Sequence, residues 1–275
     1  LNLAPDHLER HGGMAGYVAA KKRLFDLQAP EQIAVVGLDD SESRSLFDEL
    51  VGAGREVTPV SGIGPVEHGI YVDRGILHDA RTGTPRKLAD LQEGALKGAH
   101  NWQNAAAALA VTAALGCDEE VAASALLDFP GLPHRLEQAA EFAGVRFVND
   151  SKATNAAAAA QALAVYDDIY WIAGGRPKEQ GIGGLAHLLP HVRRAFLIGE
   201  AAEAFAAALG GAVPVTRSGT LQRAVRDAFA AAKAEGRDGA VILLSPACAS
   251  FDQFADFEAR GDLFRDLARE LEEAA

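Results

Sequence analysis

Cysteine is scarce in this chain, and so are long apolar segments. Only Cys117 and Cys248 occur among 275 residues, far apart in sequence and in apolar surroundings. We therefore expect no disulfide framework and no thiolate metal site, and we expect both cysteines to be inert core residues. No apolar run reaches the ~18 to 20 residues that a membrane span needs, and no basic-then-apolar signal segment opens the chain. These absences predict a cytoplasmic protein with no membrane partner.

Positively charged residues are also fewer than negatively charged ones. Lys and Arg number 26 against 38 Asp and Glu, which leaves a formal net charge of -12. Because a nucleic-acid backbone binds to basic surfaces, this balance argues against a nucleic-acid partner. The chain is 49% hydrophobic and 23% charged, which is ordinary for a globular protein of two modest domains. Its first residue is Leu1 rather than methionine, so we expect it to be part of a longer protein.

The order of apolar segments and turn residues predicts strands that alternate with helices, and hence an α/β fold built on mostly parallel sheets. In the first half we predict a buried strand at 32–37, a helix from the capping residues 39–41 to about 53, and a hairpin at 70–79. Helices are predicted at 17–27, 102–115 and 119–127. The strand at 32–37 and the helix after it form a β-loop-α step.

A segment dense in Pro and Gly, residues 129–133, predicts a domain boundary, so we divide the chain into 1–131 and 132–275. The second part begins with a hairpin at 136–142 and 145–149. Alternating strands and helices then predict a Rossmann-like domain. The strands are predicted at 169–173, 195–198, 213–215 and 240–244, and the helices at 155–163, 201–209, 220–233 and 262–273.

Two residues near the start carry a first candidate site. His7 follows Pro5-Asp6 where a helix is about to begin, and its imidazole could bind a metal, although a capping or surface histidine is the plainer interpretation. Lys21 lies on a helix with one apolar face, so its amine could be partly desolvated and reactive, or it could simply extend its stem along that face.

A second candidate is an amide pair. Asn101 and Asn104 lie three residues apart at a predicted helix start, which places both side chains on one face. Asn101 could equally be the cap of that helix.

The third candidate spans 132–155 and includes LPHRLE and NDSKATN. It brings five polar residues to the domain junction and to the carboxyl end of a strand, where open α/β sheets bind ligands. Asp150 could pair with a ribose hydroxyl and Arg135 with a phosphate, whereas the alternative is an interdomain ion pair. The five residues are His134, Arg135, Asp150, Lys152 and Thr154.

The fourth candidate is LLSPACASFDQF at 243–254, a buried strand that runs into small residues and then a predicted helix. Backbone N–H groups at such a turn form an anion site, so Ser250 could hold a carboxylate or phosphate. Gly174, Gly175 and Lys178 end another strand in a similar way. Each of these loops, taken alone, could merely turn the chain.

Together and in this order, HR at 134–135, NDSKATN at 149–155, GG with a following lysine at 174–178 and SPACASFDQF at 245–254 resemble the Mur ligase family. The resemblance runs over nearly the whole chain and is greatest to the branch that adds D-glutamate. It implies part of a central ATPase-type α/β domain followed by a Rossmann-like C-terminal domain. It also implies the reaction, in which ATP and Mg²⁺ activate the carboxylate of UDP-N-acetylmuramoyl-L-alanine as an acyl phosphate and the amine of D-glutamate then attacks.

The same resemblance implies roles for single residues. His7 matches a metal-site histidine, and Lys21 matches a lysine that is carbamylated in the family and bridges metal and substrate. Lys22 is the second choice for that role. Asn101 and Asn104 match positions beside adenine, Arg135 one near the phosphates, and Asp150 one at the ribose. The positions that match substrate-binding residues are His134, Lys152, Thr154, Lys178, Ser250, Phe251 and Phe257.

The chain departs from the family pattern at its front. It contains no Gly-rich loop ending in Gly-Lys-Ser/Thr, no UDP-binding domain and no counterpart of the metal-site glutamate. We therefore expect the chain alone to be inactive. The resemblance also implies a monomer. Two alternatives stay open, a ligase of the folylpolyglutamate synthase type and a non-catalytic module that binds a nucleotide or an amino acid.

Overall fold

The computed structural model describes residues 1–5, 8–92, 94–177 and 181–275. The chain forms two compact units, Leu1–Pro130 and Gly131–Ala275, which meet one residue before the boundary predicted from the sequence. Within the described residues, no helix combines the length and apolar character required for crossing a bilayer.

The first unit is built on a five-stranded sheet in the order β1-β2-β3-β4-β5. The first three strands are parallel and the last two pairings are antiparallel. The strands are β1 (Ala34–Gly37), β2 (Val57–Ser61), β3 (Ile70–Asp73), β4 (Ile76–Asp79) and β5 (Arg86–Asp90). The helices are α1 (Leu8–His11), α2 (Met14–Asp26), α3 (Ser41–Gly52), α4 (Ala99–Ala114) and α5 (Glu119–Asp128).

Local sequence explains where these elements begin and turn. Asp40 caps α3 as predicted, because its carboxylate accepts the backbone N–H of Ser43 and so satisfies a free donor of the first turn. The predicted hairpin turns at Arg74 and Gly75, both with positive φ. One face of the sheet packs on α4 through Ile70 and Leu77, which are fully buried together with Leu109.

The second unit is built on a six-stranded sheet in the order β10-β9-β8-β11-β7-β6, parallel except for the hairpin strand β6. Apolar clusters cover both faces, one around Trp171 and Leu163 and one around Phe147 and Phe264, as expected of a Rossmann-like sheet. The strands are β6 (Glu137–Phe142), β7 (Val145–Asn149), β8 (Ile169–Gly174), β9 (Val192–Ile198), β10 (Val215–Gly219) and β11 (Ala240–Leu244). The helices are α6 (Ala156–Leu163), α7 (Ala202–Leu209), α8 (Leu221–Glu235) and α9 (Phe257–Glu273), with a 3₁₀ helix at Gly183–His191.

Several details differ from the sequence prediction. The strand predicted at 213–215 is observed as Val215–Gly219. Helix α4 begins at Ala99 rather than at residue 102, and α9 begins at Phe257 rather than at residue 262. The edge strand β5 and the 3₁₀ helix had no predicted counterpart. Cys248 is buried as expected, but Cys117 is exposed, so the prediction of a core residue is wrong there.

Candidate functional site

The clearest candidate site lies in the second unit, where β8, β11 and β7 are neighbours and end at one edge of the sheet. The loop after β11 is bonded to both of its neighbours. Asp150 N–H donates to Leu244 O at 2.8 Å, Gly174 N–H donates to Pro246 O at 2.9 Å, and Arg176 and Ala249 exchange two backbone bonds. The third and fourth candidate segments of the sequence are therefore parts of one surface, at the edge where open α/β sheets bind ligands.

Asp150 is the titratable residue at the centre of this edge. Its Oδ2 accepts the hydroxyl of Ser245 at 2.8 Å, and its Oδ1 accepts Leu136 N–H at 3.4 Å. Burial raises the pKa of Asp150 to about 7, although Ser245, Leu136 and the charge of Arg135 all favour the ionised form. Arg135 is exposed and forms no ion pair within the described residues of the second unit. The alternative of an interdomain ion pair stays a prediction.

His134 faces the interior rather than the surface. Its Nδ1 lies 3.1 Å from Asn149 Nδ2. The ring also meets Phe257 edge-on at 6.0 Å. Only 6% of the residue is exposed, so its proposed contact with substrate stays a prediction, while its contacts with β7 and α9 are structural.

Two of the residues matched to substrate-binding positions, Lys152 and Phe257, are in contact. The ammonium of Lys152 lies 4.0 Å from the centre of the Phe257 ring, a cation–π contact that holds the charge in place. Thr154 is half-buried and its N–H donates to Lys152 O at 2.8 Å. The loop after β7 thus carries both an ammonium and a hydroxyl.

The loop after β11 differs from its prediction. Ser250 is buried and Phe251 is 63% exposed, but no helix begins at Ser250. The chain makes turns until Asp256, which caps α9 through its bond to Ala259 N–H. The expectation that a helix starts at Ser250 is therefore wrong, and the binding of a carboxylate or phosphate by Ser250 stays a prediction. Gly174 and Gly175 end β8 with φ of 121° and 129°, whereas Lys178 lies outside the described residues.

In the first unit, the amide pair lies on the first two turns of α4. Asn101 is not the cap of the helix, since Gly98 occupies that position, and its Nδ2 donates to Lys97 O at 2.9 Å. Asn104 is exposed. Gln103 between them is 1% exposed, and its Nε2 has no hydrogen-bond partner among the described residues, which the sequence did not indicate.

The metal-site prediction receives little support from the described residues. His7 lies outside them. Lys21 is exposed on α2 with its Nζ 5.3 Å from the Tyr17 ring centre, so the expectation of a desolvated amine is wrong for Lys21. Lys22 is less exposed and pairs with Glu49. Within the described ranges, no group of three His, Cys, Asp or Glu side chains has the arrangement of a metal site.

Comparison with known proteins decides the family. The chain matches the Mur ligase middle domain over residues 1–112 and the Mur ligase glutamate ligase domain over residues 134–248. The chain belongs to the Mur ligase family. The two matched segments fall on either side of the boundary between the two compact units.

Curated Mur ligases share about half of this chain's residues. It is 51% identical over 273 residues to the UDP-N-acetylmuramoylalanine--D-glutamate ligase of Phenylobacterium zucineum, covering 98% of this chain and 58% of that ligase. The enzyme of that name from Rhodospirillum rubrum is 52% identical, with coverages of 98% and 57%. The chain thus spans a little over half the length of these relatives.

A solved Mur ligase shares the fold. MurF ligase from Thermotoga maritima, determined in complex with ADP, superposes with a TM-score of 0.69 at 19% identity, covering all of this chain and 62% of that one. At this level of identity, the likeness supports the mixed α/β fold of both units.

Proposed function

We propose that this chain is part of an ATP-dependent ligase that adds D-glutamate to UDP-N-acetylmuramoyl-L-alanine in peptidoglycan synthesis. The observation that carries the proposal is the 51–52% identity to curated D-glutamate ligases over 98% of the chain. Because the chain spans 57–58% of those relatives, the activity is proposed for the longer protein. A cytoplasmic location and a monomeric state are parts of the same proposal.

In the proposed reaction, a carboxylate oxygen of the UDP-linked substrate attacks the γ-phosphorus of ATP, and ADP leaves. The amine of D-glutamate then attacks the carbonyl carbon of the acyl phosphate, loses a proton, and expels inorganic phosphate as the amide forms. Both attacks join negatively charged or electron-rich groups, so positive charge and hydrogen-bond donors near the phosphates and carboxylates lower the barriers.

The loops at the edge of the second sheet suit the amino-acid substrate. D-glutamate carries two carboxylates, and the loop cluster offers the ammonium of Lys152, held against Phe257, and the hydroxyls of Thr154 and Ser250. Arg135 is exposed and without an ion pair within the described residues, so it is available for a phosphate of ATP. Asp150, beside Ser245, is proposed for the ribose and Asn101 and Asn104 for the adenine. His134, Lys178 and Phe251 complete the proposed set.

Mg²⁺ is part of the proposal as the ion that accompanies ATP, with His7 and a carbamylated Lys21 as its candidate ligands. The described residues alone do not fit such a site, since they contain no cluster of carboxylate and imidazole ligands. We therefore derive no reaction step through the metal.

The direct test is a fusion in which the part of the Phenylobacterium relative not matched by this chain precedes Leu1. We expect ATP-dependent release of phosphate with UDP-N-acetylmuramoyl-L-alanine and D-glutamate, and background rates with L-glutamate or D-alanine. The chain alone, at the same concentration, is the control. Turnover with a different amino acid would replace D-glutamate as the substrate, and ligand binding without any turnover would favour the non-catalytic binding module.

Lys21 can be tested against its neighbour in the same fusion. We expect Lys21→Ala to lower kcat by about 100-fold, because it removes the amine that would carry the proposed carbamate, and we expect added acetate to restore part of the rate. Lys22→Ala is the matched control, since it removes only a partly exposed pair with Glu49 and should change kcat by no more than about threefold. A fully active Lys21→Ala enzyme would remove Lys21 from the mechanism.

A further inference from the structure

Arg260 is a charged side chain that is fully buried in the second unit. It lies in the first turn of α9 with 0% exposure and ranks among the largest buried side chains. Within the described residues it forms no ion pair, and Asp252 acts on it only at longer range. Burial lowers the pKa of the guanidinium to about 10, so it stays protonated at neutral pH. A buried charge is costly unless its hydrogen bonds are satisfied.

The hydrogen bonds of this guanidinium go to two of the site loops. Nε donates to Ser151 Oγ at 2.9 Å and Nη2 donates to Ser151 O at 2.8 Å, both in the loop after β7. Nη1 donates to Cys248 O at 3.1 Å, in the loop after β11. The planar fork of arginine satisfies acceptors in different directions at once, which a lysine ammonium on a single flexible stem does not reproduce.

The third site loop packs against the same group. A Cβ added to Gly175, after β8, would lie 3.3 Å from Nη1 of Arg260 and 2.4 Å from Ala249 O. Only a glycine at this position lets the backbone approach the guanidinium so closely. Arg260 therefore lies behind the point where the three loops meet.

Other residues at the start of α9 also contact the loop after β7 and the residues beside it. Phe257 O accepts the hydroxyl of Ser151 at 2.8 Å, and Gly261 O accepts Asn149 Nδ2 at 3.1 Å. A Cβ on Gly261 would lie 2.2 Å from His134 Nδ1, so this glycine makes room for the histidine ring. These contacts make the turn a support for the loop that carries Lys152.

We propose that Arg260 is a positioning residue of the amino-acid site, which holds the loop of Lys152 and the loop of Ser250 in register from behind without touching the substrate. This inference rests on the proposed function for its substrate, D-glutamate. Its positive charge lies beneath loops that would bind two carboxylates. It therefore also favours an amino acid with two carboxylates over one whose side chain is neutral.

The kinetic test is Arg260→Lys in the fusion protein, with Arg269→Lys as the matched control because Arg269 is exposed on the same helix. We expect the KM for D-glutamate to rise at least about tenfold and kcat/KM to fall about 100-fold in Arg260→Lys, since misplaced binding groups weaken both binding and alignment. The control should stay within about twofold of the parent. KM does not depend on how much enzyme is folded, so a merely structural role would lower the rate at constant KM.

Hydrogen exchange on the chain itself separates this inference from the proposed function. In Arg260→Lys, the amides of Lys152, Ala153 and Ala249 should exchange about tenfold faster, while Val241 in β11 stays protected, because the loops open without global unfolding. If the fusion shows no turnover, this measurement still decides the role of Arg260. Should Arg260→Lys fail to fold, Ser151→Ala, which removes one acceptor and keeps the guanidinium, takes its place. An unchanged KM, or unchanged exchange in these loops, would overturn the proposal.

Discussion

Gly174→Ala is expected to destabilise the second unit by about 2–6 kcal/mol. Gly174 is the last residue of β8, its φ is 121°, and a Cβ there would lie 2.0 Å from Ile198 O on the neighbouring strand. Two costs combine. An L side chain is strained at this φ by about 1–3 kcal/mol, and overpacking against a strand backbone adds about 1–3 kcal/mol because the strand cannot yield as a flexible side chain does.

Two other glycines separate these costs. Gly211 has a φ of 83° with nothing within 4 Å of an added Cβ, whereas Gly184 has neither a positive φ nor a neighbour. We expect Gly211→Ala to cost about 1 kcal/mol and Gly184→Ala to stay within about 0.5 kcal/mol. The measurement is urea unfolding followed by Trp171 fluorescence in a Trp102→Phe background, since the chain has only these two tryptophans. Equal stabilities for all three variants would contradict the steric argument.

Strands with one unbroken apolar run were predictable from the sequence. The strand predicted at 240–244 is observed as Ala240–Leu244, because five apolar residues between Gly239 and Ser245 match a strand buried on both faces. Strand β5 (Arg86–Asp90) was missed because it is an edge strand whose sequence, RKLAD, lacks both a run and an alternation of apolar residues. The sequence pattern is therefore weakest for a strand at the exposed edge of a sheet.

The start of α9 was misplaced for a different reason, which also concealed Arg260. The apolar stripe of Leu263, Phe264, Leu267 and Leu271 predicts a helix from residue 262. The buried face in fact continues back through Arg260 and Gly261, residue types that the apolar-stripe rule assigns to exposed positions or helix ends. The acceptors on Ser151 and Cys248 make a buried arginine tolerable, and Ser151 lies 109 residues earlier in the sequence.

The positions of the loops in the candidate site were predicted from the sequence, but the backbone conformation within them was not. The loops after β7, β8 and β11 were placed at strand ends correctly, since carboxyl ends of parallel strands share one edge. The helix-start geometry at Ser250 was wrong because Ala247 adopts a positive φ of 56° and the chain makes turns before α9 begins. A backbone conformation of this kind in an alanine leaves no signal in the sequence.

Asp150→Asn is expected to make the second unit more stable at pH 8 and to change its stability little at pH 4. The pKa of Asp150 is raised from 3.8 to about 7 in the fold, so between these values the native state binds a proton that the unfolded chain releases. Stability therefore falls as pH rises from about 4 to 7, and the loss is complete above pH 7. At 1.36 kcal/mol per unit, the full effect is about 4 kcal/mol.

The measurement is the free energy of unfolding of both proteins from pH 4 to pH 8, followed by Trp171 fluorescence in the Trp102→Phe background. The difference between Asp150→Asn and the parent should grow through this range and level off above pH 7. A difference that is the same at every pH would show that Asp150 ionises in the fold as it does in the unfolded chain.

Ser245→Ala provides the opposing variant, because it removes the hydroxyl that donates to Asp150 Oδ2 at 2.8 Å. Without this donor the ionised carboxylate is less stabilised, so the pKa of Asp150 rises further and Ser245→Ala costs more stability at pH 8 than at pH 5. In the Asp150→Asn background that pH dependence should disappear, since no ionisable group remains for the hydroxyl to act on. If the effect of Ser245→Ala still depends on pH in the Asp150→Asn background, the group that titrates is not Asp150 but another group of the site.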